Sequence, residues 1–101
     1  MKRYAFIGKL KKGCEQEYVV RHANIWPELV QAYKDAGIRN MAVFMKGVEL
    51  FGYYEVDEAV YEREKDNLSK NPVEIKWQEY LADIADRTEI IEPPVEVFHM
   101  E

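Results

Sequence analysis

The order in which the apolar residues change their spacing constrains the fold of this chain more than any other feature. From Arg3 to Leu10 they alternate, with Tyr4, Phe6, Gly8 and Leu10 on one side and Ala5 and Ile7 on the other, as in a strand covered on both faces. Gly13 closes that segment, and from Cys14 to Ala36 the spacing becomes helical. Tyr18, His22, Ile25, Leu29, Ala32, Tyr33 and Ala36 form the apolar stripe, and charged residues occupy much of the remaining wheel. Pro27 interrupts this run, because a proline inside a helix loses a hydrogen bond and clashes with the carbonyl four residues back. The pattern predicts a helix that kinks or restarts near Asn24, which would cap a second segment carrying Pro27 in its first turn. Gly37 is a natural C-terminal cap.

Strand patterns return at Ile38–Met45 and Glu49–Val56, joined by Lys46-Gly47-Val48, and this reads as an antiparallel hairpin. Asp57 then caps a helix over Glu58–Leu68, and Ser69-Lys70-Asn71-Pro72 breaks it. Asn71 or its neighbour caps a further helix to about Ala85, with Ile75, Trp77, Leu81, Ile84 and Ala85 read as its buried stripe. Pro93-Pro94 precede a last strand, Val95–Met100. The order β-α-β-β-α-β gives an α+β class and a ferredoxin-like, split β-α-β arrangement: a four-stranded antiparallel sheet with its helices on one face. The other face needs a cover, either a ligand or a second copy. A chain of 101 residues, read as one domain over 1–101, buries only a thin core, and aromatic residues on both strand faces point to a dimer.

Charge and cysteine content narrow the partners. The 14 Lys and Arg against 19 Asp and Glu leave a net charge of −5, contrary to what sequence-independent nucleic-acid binding requires. The nearest basic run, Lys9-Leu10-Lys11-Lys12, reads as a solvated turn. The N-terminus lacks the apolar stretch of a signal peptide and no run is long enough to span a membrane, so a cytoplasmic protein with no membrane partner is expected. Cys14 is the only cysteine, which suits a reducing compartment; beside Glu15 and Glu17 it reads as an inert thiol.

The stretch from Tyr18 to Leu29 carries the chemistry. Tyr18 and His22 are one helical turn apart, so they stand on the same face, which also turns toward the sheet. An imidazole titrates near neutrality, and a phenol one turn away can hold it or donate to a substrate oxygen. The same spacing also suits a histidine satisfied within the core. Trp26 and Trp77 are the only tryptophans; an indole can lie against the C–H face of a sugar or simply fill a core. Tyr4, Tyr53, Tyr54 and Tyr80 add to a total aromatic content of 13%, which suits a small polyhydroxylated ligand better than a phosphate. There is no glycine-rich phosphate loop, no metal-spaced His/Cys cluster and no serine triad. His99 reads as structural or exposed, and Glu17, Glu28, Glu55 and Glu79 are not placed by spacing as partners of His22.

At Tyr18…Arg21-His22-x-x-Ile25-Trp26-Pro27-Glu28-Leu29 the sequence resembles the L-rhamnose mutarotase family. The likeness extends to Gly37 followed by Asn40, Leu50-Phe51, Trp77…Tyr80 with Asp83, and Glu96-Val97-Phe98. The resemblance implies a dimeric α/β-barrel that interconverts the α and β anomers of L-rhamnose without cofactor or metal. It also implies a proton donor at His22 and sugar contacts at Tyr18 and Trp77. Two positions depart from the family pattern: Met41 stands where a sugar-contacting tyrosine is expected, and Gln78 replaces the second of a tryptophan pair. Both are carried as substrate-binding positions. Phe44, a nearby aromatic, has no hydroxyl to replace the lost one. A site lacking a hydrogen-bond donor discriminates less among hydroxyls, which leaves other aldoses open as substrates. A sugar-binding module without turnover and a cofactor-independent oxygenase on the same fold are the alternatives.

Overall fold

The computed structural model describes residues 1–101. Three strands, β1 (Lys2–Lys9), β2 (Ile38–Lys46) and β3 (Glu49–Val56), form an antiparallel sheet in the order β1-β3-β2. Because β3 runs antiparallel to both neighbours, β1 and β2 are parallel with β3 between them, which is the split β-α-β unit. The helices are α1 (Glu15–Ala23), α2 (Pro27–Asp35), α3 (Glu58–Lys70) and α4 (Pro72–Leu81).

Local chemistry sets most of these boundaries. The Asp57 side chain accepts from the Val60 amide and caps α3, and Asn71 accepts from Val73 and caps α4, where Pro72 takes the first turn. Pro27 does divide the first helical stretch, but Asn24 closes α1 instead of opening α2: its side-chain amide donates to the Val20 carbonyl at 2.9 Å. The N-cap of α2 is Trp26, held extended, with Pro27 as the first helical residue. Gly37 ends α2 at φ +90°, and a Cβ there would stand 2.9 Å from the Tyr61 amide nitrogen. Only glycine combines that backbone conformation with that approach of α3.

The expected fourth strand is absent. Val95–Met100 has no strand partner, and Val95, Val97, Phe98 and Met100 are all largely exposed. A run of β-forming residues becomes a strand only when a neighbour satisfies its backbone, and here one side-chain pair, Arg3 to Glu96 at 2.7 Å, ties the segment beside β1. The buried stripe of α4 also differs from expectation. Ile75 is exposed while Trp77 is buried, because the inward face runs through Glu74, Trp77, Gln78 and Leu81.

The core is small. Leu10, Tyr18, Leu50 and Ile84 make one buried cluster, with Val43, Val48 and Leu81 packed against it. Leu29 and Val56 are fully enclosed nearby. Register places Tyr4, Phe6, Gly8 and, across from them, Tyr54, Gly52 and Leu50 on the helix-facing side. The Phe6 ring lies across Gly52, where any Cβ would collide with it. No helix is long and apolar enough to cross a membrane.

Candidate active site

The helices stand off the sheet around a cavity of about 540 Å³. That is ample for a monosaccharide and within the usual range for small-molecule sites. Phe6 and Tyr54 from the sheet, Tyr18 and His22 from α1, and Glu74 and Trp77 from α4 contribute to its lining, which is mostly apolar. A neighbouring space of about 560 Å³ toward β2 shares Tyr18, His22, Tyr33 and Met41 with it.

The Tyr18/His22 spacing does bring the two rings together, with centroids 4.0 Å apart. His22 Nδ1 lies 3.0 Å from the Tyr18 carbonyl oxygen. A carbonyl only accepts, so Nδ1 carries the proton and Nε2 is the nitrogen left to exchange one. Burial lowers the His22 pKa from its ordinary value, and the Tyr18 carbonyl partly offsets this. Burial pushes the Tyr18 phenol up, so it remains a neutral hydrogen-bond donor through the physiological range.

Trp77, 3% exposed, presents its ring edge-on to His22 with centroids 5.3 Å apart. Trp26 meets Trp77 at 5.1 Å, also edge-on, and stacks on Tyr80 at 5.5 Å. Arg21 closes this aromatic run, its guanidinium 4.3 Å from the centre of the Tyr80 ring. The same guanidinium donates to both carboxylate oxygens of Asp83, at 2.9 and 3.0 Å, to Glu17 at 2.8 Å and to the Tyr80 carbonyl. Asp83 and then Glu17 hold Arg21 firmly protonated, and Arg21 in turn holds Asp83 below the usual carboxylate range. The residue beside His22 thus fastens α1 to the end of α4, which carries Trp77.

Of the residues singled out from sequence, Tyr18, His22, Trp77, Gln78 and Met41 all line the cavity. Met41 lies on the helix-facing side of β2, paired with Tyr54, and offers no hydroxyl. Gln78 donates to Glu74 Oε1 at 2.9 Å, and its own amide oxygen accepts from Arg87 at 3.0 Å. His99 is exposed on the C-terminal segment and does not line the cavity. Glu17 and Glu79 do not join His22, and neither do Glu28 and Glu55. Sequence reasoning missed three residues: Glu74, Tyr33 as a cavity residue, and Arg21 as the anchor. For Glu74 the available signal was its spacing, one turn before Trp77 and Gln78 on the same helix. No group of His, Cys, Asp and Glu side chains converges in a way that could hold a metal ion.

Comparison with known proteins gives a consistent picture. The family described as L-rhamnose mutarotase matches residues 3–100. An L-rhamnose mutarotase of Phocaeicola vulgatus is 36% identical over the full length of both chains. One from Sinorhizobium fredii is 37% identical over 99% of each. The crystal structure of L-rhamnose mutarotase FA22100 from Formosa agariphila superposes with a TM-score of 0.80, at 34% identity and complete coverage of both chains. Tetracenomycin F2 cyclase from Streptomyces glaucescens, a type-II polyketide cyclase, superposes at 0.68 with 14% identity over 100% of this chain and 97% of the cyclase, a likeness of fold alone. The chain belongs to the L-rhamnose mutarotase family.

Proposed function

We infer that this protein is an isomerase that interconverts the α and β anomers of L-rhamnose by acid/base opening and reclosure of the ring. One observation carries the reading: the Tyr18 carbonyl occupies His22 Nδ1 and leaves Nε2 to exchange a proton, in a cavity walled by Tyr18 and Trp77. In the forward step the His22 imidazolium gives its Nε2 proton to the ring oxygen while water takes the proton of the anomeric hydroxyl. The C1–O5 bond breaks to leave an aldehyde, rotation about C1–C2 turns its other face to the 5-hydroxyl, and the proton transfers reverse on closure. The lowered His22 pKa makes the imidazolium a stronger acid toward a weakly basic ether oxygen. Tyr18, neutral and donating, orients a sugar oxygen, and Trp77 offers its face to the ring. Met41 contributes only apolar contact, and Gln78 supports the neighbouring carboxylate.

Replacing His22 with Gln tests this. Anomer exchange of L-rhamnose, followed by NMR above the spontaneous rate, is expected to lose a factor of roughly 10² to 10⁴. Exchange equal to wild type would overturn the assignment, and no acceleration by wild type would leave a binding module.

Two further features belong to the same reading. A second copy of the chain covers the outer face of the sheet, where Ile7, Phe51 and Phe44 form one exposed row across the three strands. The protein works in the cytoplasm, in keeping with a single cysteine, Cys14, that has no disulfide partner.

A further inference from the structure

Glu74 is an unusual residue for the inner face of α4. Its spacing to Trp77, Gln78 and Leu81 turns a carboxylate into the cavity at a position where helices normally bury apolar groups. An Asn-x-x-Glu sequence at a helix start suggests a reciprocal cap, in which the acid reaches back to the first amide. That role is filled otherwise, because the Asn71 amide donates to the Leu68 carbonyl at 3.0 Å. Glu74 Oε1 accepts from Gln78 at 2.9 Å. Oε2 is shut off from solvent and has no hydrogen-bond partner, and no other side-chain oxygen or nitrogen shares that condition. An unmet acceptor of this kind costs on the order of 1–3 kcal/mol, more when it is charged. Burial, and then the Glu74 carboxylate acting both through its charge and as an acceptor, push the Tyr33 phenol well up, so Tyr33 stays neutral near Glu74, but it does not reach hydrogen-bond geometry with Oε2.

We propose that Glu74 is a substrate-binding carboxylate, its Oε2 accepting a hydrogen bond from a hydroxyl of the sugar and so selecting which aldose fits. This rests on the mutarotase reading, and it supplies a polar contact on α4 in the cavity that Met41 lines without a hydroxyl. A carboxylate oxygen whose sister oxygen is already fixed by Gln78 has a defined direction, which lets it distinguish an equatorial from an axial hydroxyl. The cost it imposes on the empty site is recovered when the sugar arrives.

Glu74→Gln is the informative variant. Gln78 donates to the fixed oxygen, so the amide oxygen stays there and an NH₂ group takes the place of Oε2, reversing its hydrogen-bond sense without changing its shape. The KM for L-rhamnose is expected to rise roughly 10- to 100-fold, with kcat within about threefold of wild type. The Tm is expected to stay level or rise, because the acceptor left without a partner has gone. Among monodeoxy analogues, the one lacking the contacted hydroxyl should bind both forms alike. An unchanged KM overturns the proposal, as does an equal penalty for every analogue or a fall in Tm with KM preserved. If wild type fails to accelerate exchange, the function falls separately; calorimetric titration of the sugar then decides Glu74, with equal affinity for both forms overturning the proposal.

Discussion

The site turns on the direction of one proton. Because the Tyr18 carbonyl fixes His22 Nδ1 as a donor, only Nε2 is left to serve the proposed proton transfer, and burial lowers the pH at which it gains its proton. Donation requires the cationic ring, so the His22-dependent rate should decline as pH rises through a value below 6.5, and this inflection should vanish in His22→Gln. The same shift acts on stability with a definite sign. The unfolded chain binds the proton more tightly, so stability is gained as pH rises from the lowered folded value to 6.5, and chemical denaturation across that window should show a shallower slope in the variant. At this scale the sequence was readable where a spacing rule applied: Tyr18 and His22 met as one helical turn demands. Glu74 was not readable, because a glutamate in the first turn of a helix ordinarily faces water and favours the helix dipole. Its inward direction depends on where α4 docks.

At the level of elements, the site is an agreement between α1 and α4 enforced by Arg21. Its fork reaches Asp83, two residues past α4, and it also donates to the Tyr80 carbonyl on α4, so contacts outside the cavity tie the helix of His22 to that of Trp77. Asp83 titrates below its ordinary 3.8 when folded, so the contribution is complete above that pH and is lost as pH falls through the folded value. Asp83→Asn should therefore lower the Tm at neutral pH and leave less to lose on acidification. The join between α2 and β2 gives a second case. Gly37→Ala puts a methyl group against the Tyr61 backbone at a positive φ and should cost about 1–3 kcal/mol, read by chemical denaturation. The caps at Asp57 and Asn71, the hairpin and the break at Pro27 were legible because each is a local event, whereas Asn24 closed α1 where it was expected to open α2. The last strand was not: Val95–Met100 has the composition of a strand, but pairing is settled by a neighbour and composition cannot supply one.

For the whole molecule, the outer face of the sheet is the main unspent surface. The Ile7/Phe51/Phe44 row runs beside Ala5/Tyr53/Ala42, flanked at one end by Lys9, Glu49 and Lys46 and at the other by Arg3, Glu55 and Asn40. An apolar band rimmed by both signs of charge is self-complementary under a two-fold axis. Sedimentation should give twice the 12.0 kDa chain mass for wild type and a shift toward the single chain for Phe44→Asp; a monomeric wild type would refute the pairing. Chain length and strand aromatics raised the expectation of a cover, whereas the position of the band itself required the register.

The aromatic run also has an optical consequence. Trp26 and Trp77 are the only indoles in the chain, they touch each other, and one stands edge-on to His22. All tryptophan emission therefore originates from an indole pair of which one member, Trp77, stands 5.3 Å from the His22 ring. A cationic imidazole quenches an adjacent indole, so emission should dim on acidification along the titration curve of His22 itself and remain flat in His22→Gln. The unlabelled protein thus carries its own light-emitting gauge of the His22 proton, readable at rest, before any sugar is added.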